Sequence, residues 1–263
     1  MLTFLKLGGS LITDKSATET ALTDVINRLA AEVRTALDAN PALRLVLGHG
    51  SGSFGHTAAA TYGTRRGVST PEEWRGFAEV SVVAARLNTI VLEAFHATGV
   101  PVFRVQPSAS AVCRGGQIIR MELAPVEQAL QHGLVPLVYG DVAVDEVQGG
   151  TIVSTEDVFD ALARALSPAR ILLAGQYEGV LDAQGNLVPR ITPATLGEYR
   201  DALGGSAQTD VTGGMAAKVE SMLALCQTVP GLKVVIFDGR QPGVIARALS
   251  GEGIPHGTLL EAD

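Results

Sequence analysis

The stretch LRLVLGHGSGSFGH, residues 43 to 56, starts as an apolar run and ends with four glycines, two serines and two histidines in its last ten residues. An apolar run of strand length that ends in glycine reads as a strand buried on both faces, as in a parallel sheet covered by helices. A loop so poor in side chains lets backbone amides approach a ligand closely, and a phosphate is the usual occupant of such a turn. The stretch therefore points to an α/β fold with an anion site at the carboxyl end of a strand.

The same pattern recurs along the chain. TFLKL, VPVFRV, LVPLVYG, RILLAG and LKVVIFDG are further apolar runs of strand length. Helical periodicity separates them. TDVINRLAAEVRTALDA reads as a capped amphipathic helix, PEEWRGFAEVSVVAARLNTIVLEAFHATG as one or two helices, and STEDVFDALARALSP and GGMAAKVESMLALCQ as two more. This alternation predicts a mostly parallel sheet covered on both sides, in one domain with two lobes. GVLDAQGNLVPRITPATLGEYRDALGG breaks the rhythm with Pro and Gly and is expected to be a hairpin and loop.

Composition narrows the function. With 263 residues, 46% of them hydrophobic, the chain can bury a sizeable core. A formal net charge of −7 without a basic tract argues against nucleic acid or an anionic membrane as partner. The apolar runs are far short of the ~20 residues that a membrane span needs. MLTFLKLGGS carries no signal-peptide cleavage pattern, so a cytoplasmic protein is expected. Cys113 and Cys226 show no metal-ligand or disulfide spacing and read as core thiols. Of 20 basic residues only Lys6, Lys15, Lys218 and Lys233 are lysines. Where arginine serves for ordinary solvated charge, a retained lysine is a candidate for work that arginine cannot do.

Three of these lysines adjoin glycine-rich segments. In KLGGSLITDK, Lys6 ends a strand, the amides of Gly8, Gly9 and Ser10 turn toward a helix, and Lys15 follows. Two lysines flanking such a turn can neutralise a transferring phosphoryl group from both sides. In DVTGGMAAK, Asp210 or Thr212 can cap a helix whose first amides are left open by Gly213 and Gly214, with Lys218 one turn inside. Gly50, Gly52 and Gly55 spell GxGxxG, but no acidic strand end follows at the dinucleotide-binding distance, where Glu72 and Glu73 open a helix instead. A Walker GxxxxGK[ST] is absent. His56 closes the loop as a donor to an anionic oxygen, whereas His49 ends the strand and is expected to orient the loop.

Taken together, LKLGGSLITDKS, HGSGSFGH, VYGDV, DVTGGMAAK and FDGRQPGVIARAL resemble the amino acid kinase family along essentially the whole chain, and within it the isopentenyl phosphate kinases. The resemblance implies an open αβα sandwich in a single amino acid kinase-like domain. About residues 1–150 would form the phosphate-acceptor lobe and residues 151–263 the nucleotide lobe. It implies that Lys6, Gly8, Gly9, Ser10 and Ser51 touch the ATP phosphates and that Lys15 stabilises the transferring group. Gly50, Gly55 and His56 would hold the acceptor, and Gly214 and Lys218 the γ-phosphate side. Mg²⁺ would accompany ATP with no protein metal ligand assigned, and a homodimer is implied.

Some positions depart from the family pattern. Ser51 stands for a glycine, and Ala174–Leu181 differ from the usual nucleoside segment. Ser154, Thr155, Glu156 and Asp157 replace Ser-Gly-Asp, so either Glu156 or Asp157 is a candidate for the carboxylate that organises the lysines or metal. The expected activity is ATP-dependent phosphorylation of isopentenyl phosphate. The alternatives are a kinase of the same fold for another phosphate or phosphonate such as fosfomycin, or a non-catalytic nucleotide or phosphate sensor.

Overall fold

Strand β1 (Leu2–Leu7) lies near the middle of the larger of two sheets, paired in parallel with β2 (Arg44–His49) on one side and β9 (Arg170–Gly175) on the other. The computed structural model describes residues 1–55, 62–204, 214–252 and 256–263, leaving aside the side chains of 201–204. Beyond β2 come β6 (Val135–Tyr139) and the short edge strand β3 (Val102–Arg104). Beyond β9 come β11 (Lys233–Asp238), β12 (Thr258–Glu261) and β10 (Arg190–Ile191). Within this sheet only β11 and β12 pair antiparallel.

The alternation of side chains along the strands explains the layering. Phe4, Val46 and Ile171 point to one face, where they meet α6 (Thr155–Leu166) and α8 (Gly214–Thr228) through Phe159, Leu162 and Met222. Leu5, Leu47 and Leu172 point to the other face, against α2 (Thr23–Ala39), α3 (Pro71–Ala97) and α9 (Val244–Ser250). Phe4 and Phe159 fix the first interface with ring centroids 5.1 Å apart. Two apolar faces need two covers, and the result is the open αβα sandwich. Cys113 and Cys226 are buried free thiols, one reason that burial raises both pKa values to about 11.

Helix α2 occupies the residues that its periodicity predicted, although its N-cap, Leu22, contributes no side-chain cap. The segment from residue 71 forms one helix, begun by Pro71 and a capping box between Thr70 and Glu73. By length and composition α3 is apolar enough to cross a membrane. Its Val83, Leu87, Val91 and Phe95 are instead core residues of the sandwich.

A second sheet was not foreseen. It runs β5 (Gln117–Met121), β4 (Ala111–Arg114), β7 (Asp141–Asp145), β8 (Gly149–Val153), and Val142 packs against Val80 of α3. A lobe boundary at residue 150 would cut β8, which stays paired with β7 as far as Val153. In the Pro- and Gly-rich segment, Leu181 and Leu187 form an antiparallel bridge, as expected of a hairpin, and α7 (Leu196–Gly204) follows. Three short α-helices, α1 (Gly9–Ile12), α4 (Pro107–Ser110) and α5 (Ala124–Gln131), and a 3₁₀ turn (Thr64–Arg66) complete the described elements.

Candidate active site

Strand register builds the site. Leu7 pairs with His49 on one side and Ala174 on the other, and His49 also pairs with Tyr139, so four strands end level. Whatever follows each strand is therefore delivered to one place: Gly8 and Gly9, Gly50, Ser51, Gly52 and Gly55, Gly140 and Asp141, and Gly175 to Tyr177 all line one cavity of about 520 Å³. Ligand sites of open α/β sheets occur at such carboxyl ends.

The two glycine turns touch backbone to backbone. A Cβ on Gly9 would come within 2.6 Å of Gly52 Cα, and one on Gly50 within 2.8 Å of Gly9 N. Gly52 also has φ +50°, a region costly for other residues. The Thr13 hydroxyl joins the turns, donating to Gly9 O (2.8 Å) and accepting from Ser53 N (2.9 Å). From the segment after β9, Gln176 Nε2 donates to Ser10 O at 2.7 Å.

His49 is almost completely buried and stacks on Tyr139 with ring planes 6° apart. Its Nδ1 lies 3.1 Å from Gly50 O and its Nε2 3.0 Å from Asn88 Nδ2. The neutral tautomer with the proton on Nδ1 satisfies both contacts, donating to the carbonyl and accepting from the amide. Burial lowers its pKa to about 4, so at neutral pH the ring is an uncharged brace for the Gly50 peptide.

Glu156 opens α6 and forms an ion pair with Lys6 from the end of β1. Its carboxylate also lies 3.7 Å from Lys218 Nζ on α8. Burial opposes ionisation, but the two ammonium groups outweigh it and hold the carboxyl at about 2. Asp157, the other candidate, turns away from the cavity. It accepts from Ser154 N (2.7 Å) and Ser154 Oγ (2.8 Å) in a capping box that starts α6.

Lys6, Gly8, Gly9, Ser10, Lys15, Gly50, Ser51, Gly55, Glu156, Gly214 and Lys218, all singled out from sequence, line the cavity. Asp157 is not among its lining residues. His56, and Asp210, Thr212 and Gly213, lie outside the described residues. Sequence reasoning assigned no role to Arg65, Asp141 or Gln176, all of which face the same space. Asp141 was visible within VYGDV. Burial raises its pKa against hydrogen bonds from Ser108 and from Val142 N, the latter 2.8 Å long.

Lysines set around paired glycine turns, at the carboxyl ends of an αβα sheet, define a phosphotransferase. The model of the amino acid kinase family matches residues 1–238, and the chain belongs to that family. Its relatives include the isopentenyl phosphate kinase of Haloferax volcanii, 39% identical over 94% of this chain and 98% of that one. The isopentenyl phosphate kinase of Methanocaldococcus jannaschii is 32% identical over 96% of both chains. A solved isopentenyl phosphate kinase superposes with a TM-score of 0.84 at 29% identity, covering 99% of this chain and all of the other. An isopentenyl phosphate kinase in a substrate complex gives a TM-score of 0.77 at 26% identity, covering 98% of this chain and all of the other.

Proposed function

We propose that this protein transfers the γ-phosphoryl group of ATP to isopentenyl phosphate, giving isopentenyl diphosphate and ADP. The observation that carries the reading is the cavity in which Lys6, Lys15 and Lys218 meet the glycine turns, in a chain whose near-full-length relatives are isopentenyl phosphate kinases. The acceptor's second pKa is about 6, so an ionised oxygen is available at neutral pH without a general base. That oxygen attacks the γ-phosphorus, a new P–O bond forms, and the bond to the β–γ bridging oxygen breaks with its electron pair leaving on ADP.

Two anions must approach each other, and the residues divide that task. Lys6 and Lys218, both paired with Glu156, flank the donor phosphates with the amides of Gly8, Gly9, Ser10, Ser51 and Gly214. Lys15 reaches the transferring group. Gly50 and Gly55 present amides to the acceptor, and His56 would donate beside them. Val80, Ala84 and Ile152 give the same cavity an apolar stretch suited to a hydrocarbon tail. The acceptor lobe extends to the end of β8, and the nucleotide lobe begins at α6.

ATP brings Mg²⁺ on its own phosphate oxygens. Among the described residues no group of three His, Cys, Asp or Glu side chains is placed to hold a metal, and Glu156 is engaged by two lysines. The family resemblance implies a homodimer.

Steady-state kinetics with isopentenyl phosphate, dimethylallyl phosphate and fosfomycin tests the reading. A kcat/KM for isopentenyl phosphate at least about 10²-fold above that for fosfomycin is expected. Comparable values, or ATP binding without turnover of any acceptor, would overturn it.

A further inference from the structure

Arg65 sits on a single 3₁₀ turn, Thr64–Arg66, entered through left-handed Gly63 and left through Gly67. Thr151 of β8 donates to its carbonyl at 3.3 Å, which fixes the backbone to the wall of the second sheet. Its side chain lines the cavity that contains Gly50 and Gly55, and its Nη1 is buried with no hydrogen-bond partner. No ion pair neutralises it among the described residues. A buried guanidinium N–H without an acceptor is an unfilled donor on a residue that lines the ligand space.

We propose that Arg65 binds the acceptor's phosphate, donating to its oxygens from the wall that the second sheet anchors. The inference rests on the proposed function, because isopentenyl phosphate brings oxygens only on its phosphate. A planar guanidinium matches two oxygens of a dianionic phosphate, which lysine, as a point charge, does not. Arg65 also adds positive charge that screens the acceptor from the donor phosphates, and it does so without drawing on the Lys6, Lys218 and Glu156 cluster.

The test uses the full chain with Arg65→Met and Arg65→Lys. Methyl phosphate, a monophosphate without a tail, is titrated calorimetrically, and KM is measured for isopentenyl phosphate and for ATP. Loss of a charge-assisted contact predicts that Arg65→Met weakens methyl phosphate binding by about 10- to 100-fold. The acceptor KM should rise by a similar factor, the KM for ATP should stay within about twofold, and Arg65→Lys should recover part of the loss. An equal rise in the KM for ATP would overturn the proposal. So would unchanged methyl phosphate binding with a raised acceptor KM, which puts Arg65 at the tail. Wild-type protein that does not bind methyl phosphate also overturns it. Methyl phosphate that binds through Arg65 without turnover of isopentenyl phosphate would instead sink the kinase reading alone. Thermal melts of both variants within a few degrees of wild type show that the turn is intact.

Discussion

Glu156 and Lys218 face each other across 3.7 Å from two different helices, while the same carboxylate also pairs with Lys6. One anion thus faces two cations at the cavity. Glu156→Gln preserves the shape and removes the charge, leaving the lysines to repel each other. Expected is a fall of about 10²-fold or more in kcat/KM with the fold retained, read by ADP release and circular dichroism. Activity within a few-fold of wild type would show that the carboxylate does not organise the lysines.

The neighbouring carboxylate should behave oppositely. Asp157 closes the capping box of α6, so Asp157→Ala should cost about 1 kcal/mol of stability. Activity at a temperature well below the melt should change far less than in Glu156→Gln. Chemical denaturation beside steady-state rates makes the comparison, and a larger catalytic loss at Asp157 would reverse the assignment.

His49 gives the protein a pH signature. Its folded pKa is about 4 against an ordinary value near 6.5, so between those values the unfolded chain binds a proton that the folded chain does not. Stability is therefore lost as pH falls from about 6.5 to about 4 and levels off below, as far as this group contributes. Glu156 adds a second loss lower down, from about 4.5 to about 2, because its folded pKa is depressed and its stabilisation is present only above that range. His49→Gln should flatten the upper part of a melting-temperature profile against pH and lower kcat through a misplaced Gly50 peptide. An unchanged upper slope would mean that the ring is not the titrating group.

Gly9→Ala would put a methyl group against Gly52, and Gly52→Ala would combine positive φ with a contact 2.6 Å from Gly9 O. Each should destabilise by about 1–3 kcal/mol and raise the KM for ATP. Gly197→Ala is the control, since a Cβ there meets nothing within 4 Å and lies in helix α7. It should be neutral or stabilising by up to about 1 kcal/mol. Denaturant midpoints for the three variants decide the matter.

Much of this arrangement was legible in the sequence, for identifiable reasons. Strands β1, β2, β6, β9 and β11 are buried on both faces, so they read as unbroken apolar runs, and their glycine turns fall where the level strand ends meet. The second sheet was not legible. Its strand β5 is largely exposed, as QIIRM shows, and the hairpin of β7 and β8 turns on DEVQGG with no long apolar run to announce it. Glu156 and Asp157 could not be separated from sequence, because a first-turn carboxylate can equally cap a helix or face a ligand. In the structure Asp157 is engaged by Ser154, whereas Glu156 pairs with Lys6 and Lys218. Arg65 had no pattern to mark it. It becomes visible only when β8 fixes its carbonyl and leaves its side chain toward the cavity.

The Thr13 hydroxyl has a consequence for how ligands come and go. One oxygen donates to Gly9 and accepts from Ser53, so parting the two glycine turns would sacrifice both bonds together and expose backbone that is packed without side chains between. The turns therefore travel as one rigid floor. Any widening that admits the nucleotide or releases ADP must be borne by the walls, where Glu156, Lys218 and Arg65 stand.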